Sequence, residues 1–157
     1  MVAADVLPEA MDGLTVNLTK HPVGARVTPV LSDVEDLVIE PNSFDLVISC
    51  SCVEHVSDGH AFRETLTRIA AGTRPAGVNC FMINSDVAEM LSDGTFREPL
   101  IELNLSGSDV EEILAETYAG STVADMSRKP WSCQETRDDE SFMVKSTCIQ
   151  FTGVRRA

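Results

Sequence analysis

Short apolar runs alternate along this chain with stretches whose apolar residues recur every three or four positions. Those two periods in alternation predict an α/β protein with a largely parallel sheet. Residues 2–7 read as a short first strand. Pro8 suits the first position of a following helix, where no intrahelical donor is needed. Across residues 9–18, Met11, Leu14 and Leu18 share one helical face. His21-Pro22-Val23-Gly24 ends that helix, and residues 26–31 read as a second strand that stops at Ser32-Asp33. After a turn at Glu40-Pro41-Asn42-Ser43 comes the strongest strand signal, Phe44–Cys50, whose near-continuous apolar run predicts a strand buried on both faces.

Residues 61–71 form a predicted helix with Phe62, Leu66 and Ile69 inward, broken at residues 72–77. Residues 78–83 read as the next buried strand, and residues 87–91 as one or two helical turns. Ser106-Gly107-Ser108-Asp109 caps a helix over residues 110–117, with Ser108 and Glu111 at capping-box spacing. Residues 122–126 and 142–151 are late strands joined directly by the polar residues 132–141, which predicts an antiparallel hairpin.

The length of 157 residues fits a single domain over residues 1–157. At 43% apolar and 24% charged, the composition excludes general disorder and fibrous classes. No apolar run reaches the ~18–20 residues of a spanning helix. Acids number 25 against 12 bases, for a net charge of −13. A surface of that sign disfavours nucleic acid and anionic membranes as partners. The five cysteines, at 50, 52, 80, 133 and 148, have no disulfide-framework spacing. Cys50, Cys80 and Cys148 sit in apolar runs, and the N-terminus carries no secretory pattern, so a cytoplasmic location is expected.

In order along the chain, Val2-Ala3-Ala4-Asp5-Val6-Leu7 with Pro8, Val30-Leu31-Ser32-Asp33-Val34, Asn42-Ser43-Phe44-Asp45-Leu46-Val47-Ile48-Ser49, Val53-Glu54-His55-Val56 and Arg74-Pro75-Ala76-Gly77 resemble successive stretches of the class I S-adenosylmethionine-dependent methyltransferases. The tail, from Glu98-Pro99-Leu100 through Phe151, is more faintly similar to the tellurite-resistance type of small-molecule methyltransferase. The resemblance starts at the family's second strand, so the family's first strand and Gly-rich loop are missing from the pattern. It implies a three-layer, Rossmann-like sheet, mostly parallel with an antiparallel C-terminal hairpin. It also implies S-adenosylmethionine as cofactor, weakly bound or lost, and a small-molecule substrate. No two of the nine glycines lie close enough for a Gly-x-Gly-x-Gly turn, the device that lets backbone approach a cofactor. The sheet gap must then be filled by direct pairing of its neighbours, by a partner chain or second copy, or by a further segment. A non-catalytic, methyltransferase-like partner or regulatory module is the alternative function.

The resemblance assigns cofactor contacts to six residues. Asp5, with Val6 beside it, would accept from ribose hydroxyls, since a carboxylate offers two acceptor oxygens. Asp33 would accept from the adenine amino group, with Val34 as an apolar contact. Ser49 and Cys50, at a strand end, would leave room for the cofactor where open α/β sheets bind ligands. The plainer account makes the acids solvated turn residues and Cys50 core packing. The order Cys50-x-Cys52-x-Glu54-His55 lacks the spacing and the second cluster of a metal site, so no metal is expected. His55 and His60 could act as a base, cap or pack; alignment alone can drive methyl transfer, and no catalytic residue is assigned. Trp131 could wall a pocket or pack at a loop base. Asp45, where the strand begins, is expected to be structural, bonded to turn N–H groups or a basic side chain.

Overall fold

Residues 1–157 are described by a computed structural model in two compact units, Met1–Val38 and Ile39–Ala157. In the first unit, β1 (Val2–Asp5) and β2 (Thr28–Leu31) pair in parallel, with Asp5 opposite Leu31. Between them runs α1 (Pro8–Leu18), followed by a 3-10 turn at Gly24–Arg26. Pro8 opens α1 as expected, and Met11, Leu14 and Leu18 are its half-buried face.

The second unit holds a five-stranded sheet of β3 (Phe44–Cys50), β4 (Thr73–Met90), β5 (Phe96–Arg97), β6 (Ser121–Arg137) and β7 (Glu140–Arg155), in the order β3-β4-β7-β6 with β5 on the far end of β4. Only β3–β4 is parallel in this sheet. The antiparallel part exceeds a C-terminal hairpin because β4, β6 and β7 run for 18, 17 and 16 residues. The strands β6 and β7 turn at Asp138-Asp139, both at positive φ (51° and 64°). Such a two-residue turn matches strand twist, and residues 132–141, expected to be a loop, are almost wholly strand. The helices α2 (Gly59–Gly72) and α3 (Gly107–Thr117) pack on each other and on β4. Both cover one face, the one bearing Phe81, Ile83, Ile149 and Phe151.

Three further expectations change. Residues 87–91 are not helical: β4 continues to Met90 through a bulge between Ser85 and Ala88. There Asp86 takes φ 50°, and Asn104 satisfies the Val87 backbone, accepting from its N–H and donating to its C=O, both at 2.8 Å. The cap of α3 is Ser106, which accepts from Asp109 N–H at 3.1 Å and donates to the Asp109 carboxylate at 2.7 Å. Glu111, expected in that role with Ser108, instead accepts two bonds from Arg128. Finally, β3 is not buried on both faces: Leu46 is 52% and Ile48 69% exposed. In its sheet β3 is bonded to β4 alone, while β1 lies in the other sheet.

The core is aliphatic and aromatic. Phe62, Leu66 and Ile69 of α2, as expected, meet Val110, Ile113 and Leu114 of α3 in the buried set. Phe81, Tyr118 and Phe151 form a ring cluster with centroids 4.8–6.0 Å apart. At the other end of the sheet, Glu89 is buried and accepts from Arg97 Nε (2.6 Å), Arg137 (2.8 and 3.1 Å) and Leu100 N–H (3.2 Å). The two guanidiniums lie 4.6 and 4.8 Å from the Phe142 ring centroid, within cation–π range. This assembly fastens β5 to β4, β6 and β7.

Asp45 does have a basic partner: Arg74 Nη1 donates to both its oxygens, at 2.9 and 2.8 Å. At 80% exposure the pair is a surface one. Asp45→Ala should therefore cost only about 0–1 kcal/mol in a urea melt; a loss well beyond that contradicts the surface reading. Glu89→Gln should cost roughly 1–3 kcal/mol, because it strands Arg donors that are two-thirds buried. The arginines hold the Glu89 carboxyl down to about 2, against an ordinary 4.5. A depressed folded-state value means the contribution is complete above the ordinary value and is lost as pH falls from there through about 2. Urea melts across that acid range should converge for wild type and Glu89→Gln; a constant gap between them contradicts the assignment.

Candidate functional site

In the first unit, Asp5 ends β1 and Asp33 follows β2 by two residues, so both acids lie at the carboxyl-terminal edge of the parallel pair. Ser32 N–H donates to Asp5 C=O at 3.0 Å, tying the two turns together. One oxygen of each carboxylate is used locally: Asp5 Oδ1 accepts from Leu7 N–H and Asp33 Oδ1 from Glu35 N–H, both at 2.9 Å. Each acid thus keeps a second acceptor oxygen for a ligand hydroxyl or amino group. Val6 is exposed and Val34 half-buried. Four of the six expected residues thus share one edge of one unit.

Ser49 and Cys50 end β3 in the second unit. Ser49 is buried and its Oγ has no hydrogen-bond partner. Cys50 is exposed, its Sγ 4.0 Å from Met82 Sδ. The chain then turns sharply at Ser51, held in the left-handed region at φ 46°. Such backbone costs ~1–3 kcal/mol and persists only where the surroundings impose it. Here they do: Ser51 N–H donates to Met82 C=O at 2.9 Å, and Asn84 Nδ2 donates to Ser51 Oγ at 2.8 Å.

Asn84 is the hub of this corner. Its backbone N–H donates to Glu54 Oε1 at 2.9 Å and its Nδ2 to the same oxygen at 3.2 Å, while its Oδ1 accepts from Ser146 Oγ at 2.9 Å. Glu54 is buried, and its Oε2 has no partner. Val53 and Val56 on either side are fully buried. Residues 52–56 are therefore locked onto β4 and β7. His55 points out of this turn, its side chain 49% exposed, with Nδ1 2.9 Å from Glu102 Oε2. That bond to His55 holds the Glu102 carboxyl below its ordinary range.

Sequence reasoning did not single out Asn84, Glu102 or the anchoring role of Glu54. The polar run Asn84-Ser85-Asp86 at the end of a predicted buried strand was a usable signal for Asn84. Nothing local marks Glu102, 47 residues from its partner. His60 is elsewhere, on the first turn of α2 near Glu64, and Trp131 is an exposed strand residue of β6. No group of three or more His, Cys, Asp or Glu side chains could hold a metal ion.

Ser49→Ala should leave stability unchanged or raise it by up to ~1 kcal/mol, since it removes an unpaired buried hydroxyl. A chemical melt that shows a loss of more than that would mean Ser49 Oγ has a structural partner.

No curated protein matches the chain. Among solved structures, TehB from Haemophilus influenzae matches at TM-score 0.69 and 14% identity, covering 99% of this chain and 49% of its own. The N-methyltransferase NodS from Bradyrhizobium japonicum, in complex with S-adenosyl-L-homocysteine, matches at TM-score 0.57 and 12% identity, over 99% and 66%. The 1,6-didemethyltoxoflavin-N1-methyltransferase of Burkholderia thailandensis matches at TM-score 0.56 and 19% identity, over 99% and 61%. At these identities the likeness is one of fold, and the chain spans about half to two thirds of those structures. The family described as the methyltransferase domain matches residues 1–81, just over half of the chain. With the fold, that match establishes that the chain belongs to the methyltransferase domain family.

Proposed function

We propose that this chain serves methyl transfer from S-adenosylmethionine to a small molecule in the cytoplasm, as one functional domain over residues 1–157. The observation that carries the proposal is the corner after β3, where a buried carboxylate and a left-handed serine hold a turn rigid at the carboxyl end of a parallel strand. Ligands of open α/β sheets bind at such ends. Asp5 and Asp33 have the chemistry for the adenosine end of the cofactor: each keeps one carboxylate oxygen for a hydroxyl or amino donor. Val6 and Val34 supply apolar surface, and Ser49 and Cys50 the space at the strand end. The cofactor, when bound, supplies an electrophilic methyl group on a positively charged sulfur. The family match supports cofactor and activity, and the toxoflavin methyltransferase, an enzyme of a small molecule, supports the substrate class.

The methionine end of the cofactor fits less well, because none of the nine glycines forms a Gly-x-Gly-x-Gly cradle. We therefore propose weak binding by this chain alone. A second reading, a non-catalytic module that needs a homodimer or a partner chain to complete its sheet, is favoured by β3: it is bonded to β4 alone and exposes Leu46 and Ile48. Strand edges of this kind recruit other strands.

Two measurements test these proposals. Titration with S-adenosylhomocysteine should give Kd above ~100 µM, weakened further by Asp5→Ala and unchanged by Asp45→Ala. Micromolar binding would contradict the need for a glycine cradle, and indifference to Asp5→Ala would remove that residue from the site. Light scattering should show a dimer that Ile48→Lys dissociates; a monomer with unchanged hydrogen exchange at β3 in the presence of any partner would defeat sheet completion.

A further inference from the structure

Met1–Val38 forms two strands and a helix yet buries almost nothing. Gly24 is its one buried residue. Val6, Leu7, Val16, Val23 and Leu31 are each more than half exposed. Even the inner face of α1, made by Met11, Leu14 and Leu18, is only half-buried. In Ile39–Ala157, by contrast, Phe62, Leu66, Ile83, Leu114 and Ile149 are fully enclosed. Burial of apolar side chains is what offsets the conformational entropy of an ordered backbone. The first unit lacks most of that driving force.

Local structure does not make up the difference. The parallel pair has four residues in each strand, and so small a sheet needs a helix packed on an apolar face to stand by itself. The helix available, α1, has 11 residues, Gly13 in its interior and no side-chain cap at Leu7. Isolated helices below about 12–15 residues are marginal in water, and an interior glycine weakens them further. The bonds from Thr15 to Met11, Thr19 to Val16 and Lys20 to Asn17 span four residues or fewer, so they fasten nothing distant. One close joint shuts the unit. A Cβ on Gly24 would lie 2.0 Å from the Leu18 carbonyl oxygen and 2.7 Å from its carbon, so the returning chain meets the end of α1 where no side chain fits.

We propose that Met1–Val38 is a conditional folding unit: in the isolated chain it opens and closes by itself, apart from the cooperative fold of Ile39–Ala157, and is mostly open. Order–disorder of a segment is a recognised switching device, and elements of low local stability open without the rest. Asp5 and Asp33 come together only in the closed form. Any ligand of that edge therefore binds with an affinity reduced by the closed fraction, and its binding closes the unit. This holds whether or not the chain transfers methyl groups.

The test is residue-resolved hydrogen exchange on the full chain. The amides of Thr28 and Ser32, bonded to Met1 C=O and Asp5 C=O at 2.9 and 3.0 Å, are the reporters. They should exchange within about tenfold of the unfolded-chain rate, while amides of β4 and β7 are slowed roughly a thousandfold or more. Molar trimethylamine N-oxide, which favours burial, should slow Thr28 and Ser32 at least several-fold. Gly24→Ala should abolish that osmolyte response and leave β4 and β7 as they are in the wild type. Thr28 and Ser32 protected as strongly as β7, and released at the same urea concentration, would overturn the proposal. So would a failure of the osmolyte to slow them, since the unit would then have no closed form to select. An osmolyte response that survives Gly24→Ala, or loss of protection in β4 and β7 with that variant, would overturn it as well.

Discussion

The buried carboxylate of Glu54, accepting two bonds from Asn84, is the interaction on which the corner after β3 depends. A charged group is rarely buried without partners. Its burial here forces residues 52–56 down onto β4, and Asn84 extends the tie to Ser51 and to Ser146 on β7. Three chain segments distant in sequence thus converge on one amide side chain. The left-handed turn at Ser51 and the burial of Val53 and Val56 follow from that tie. His55 is left as the residue that the turn can present.

The two ends of the five-stranded sheet are held by different physics. Near β3 it is neutral and charged hydrogen bonding around Asn84. At the far end, Glu89 gathers two arginines, and both lie within cation–π range of Phe142. The packed ring cluster of Phe81, Tyr118 and Phe151 lies on the side of Asn84 away from Glu89. The segment that carries Glu102 starts beside the Glu89 assembly and ends at the α3 cap. The position of Glu102 against His55 is therefore set by anchors at both ends of that segment.

Much of the fold was legible in the sequence because its signals are local. Pro8 opens α1, the period of Phe62, Leu66 and Ile69 marks the core face of α2, and the run Phe44–Cys50 is β3 to the residue. What escaped depends on long-range pairing. Residues 87–91 look helical alone, yet pairing with β7 holds Ala88, Glu89 and Met90 in a strand beyond a bulge that Asn104 repairs. An apolar run says nothing about how many neighbours a strand has, and β3, bonded in its sheet to β4 alone, leaves Leu46 and Ile48 exposed. The acids of the candidate site could be placed at strand ends, whereas Asn84 and Glu102 matter only through partners 30 and 47 residues away.

The proposed cofactor contacts of the acids after β1 and β2 are the reading most open to direct test. The most direct measurement is a residue-resolved amide map of the full chain titrated with S-adenosylhomocysteine. Shifts concentrated at Asp5, Val6, Asp33, Val34, Ser49 and Cys50 are the predicted result. Shifts confined to other surfaces, or none at millimolar ligand, would contradict it.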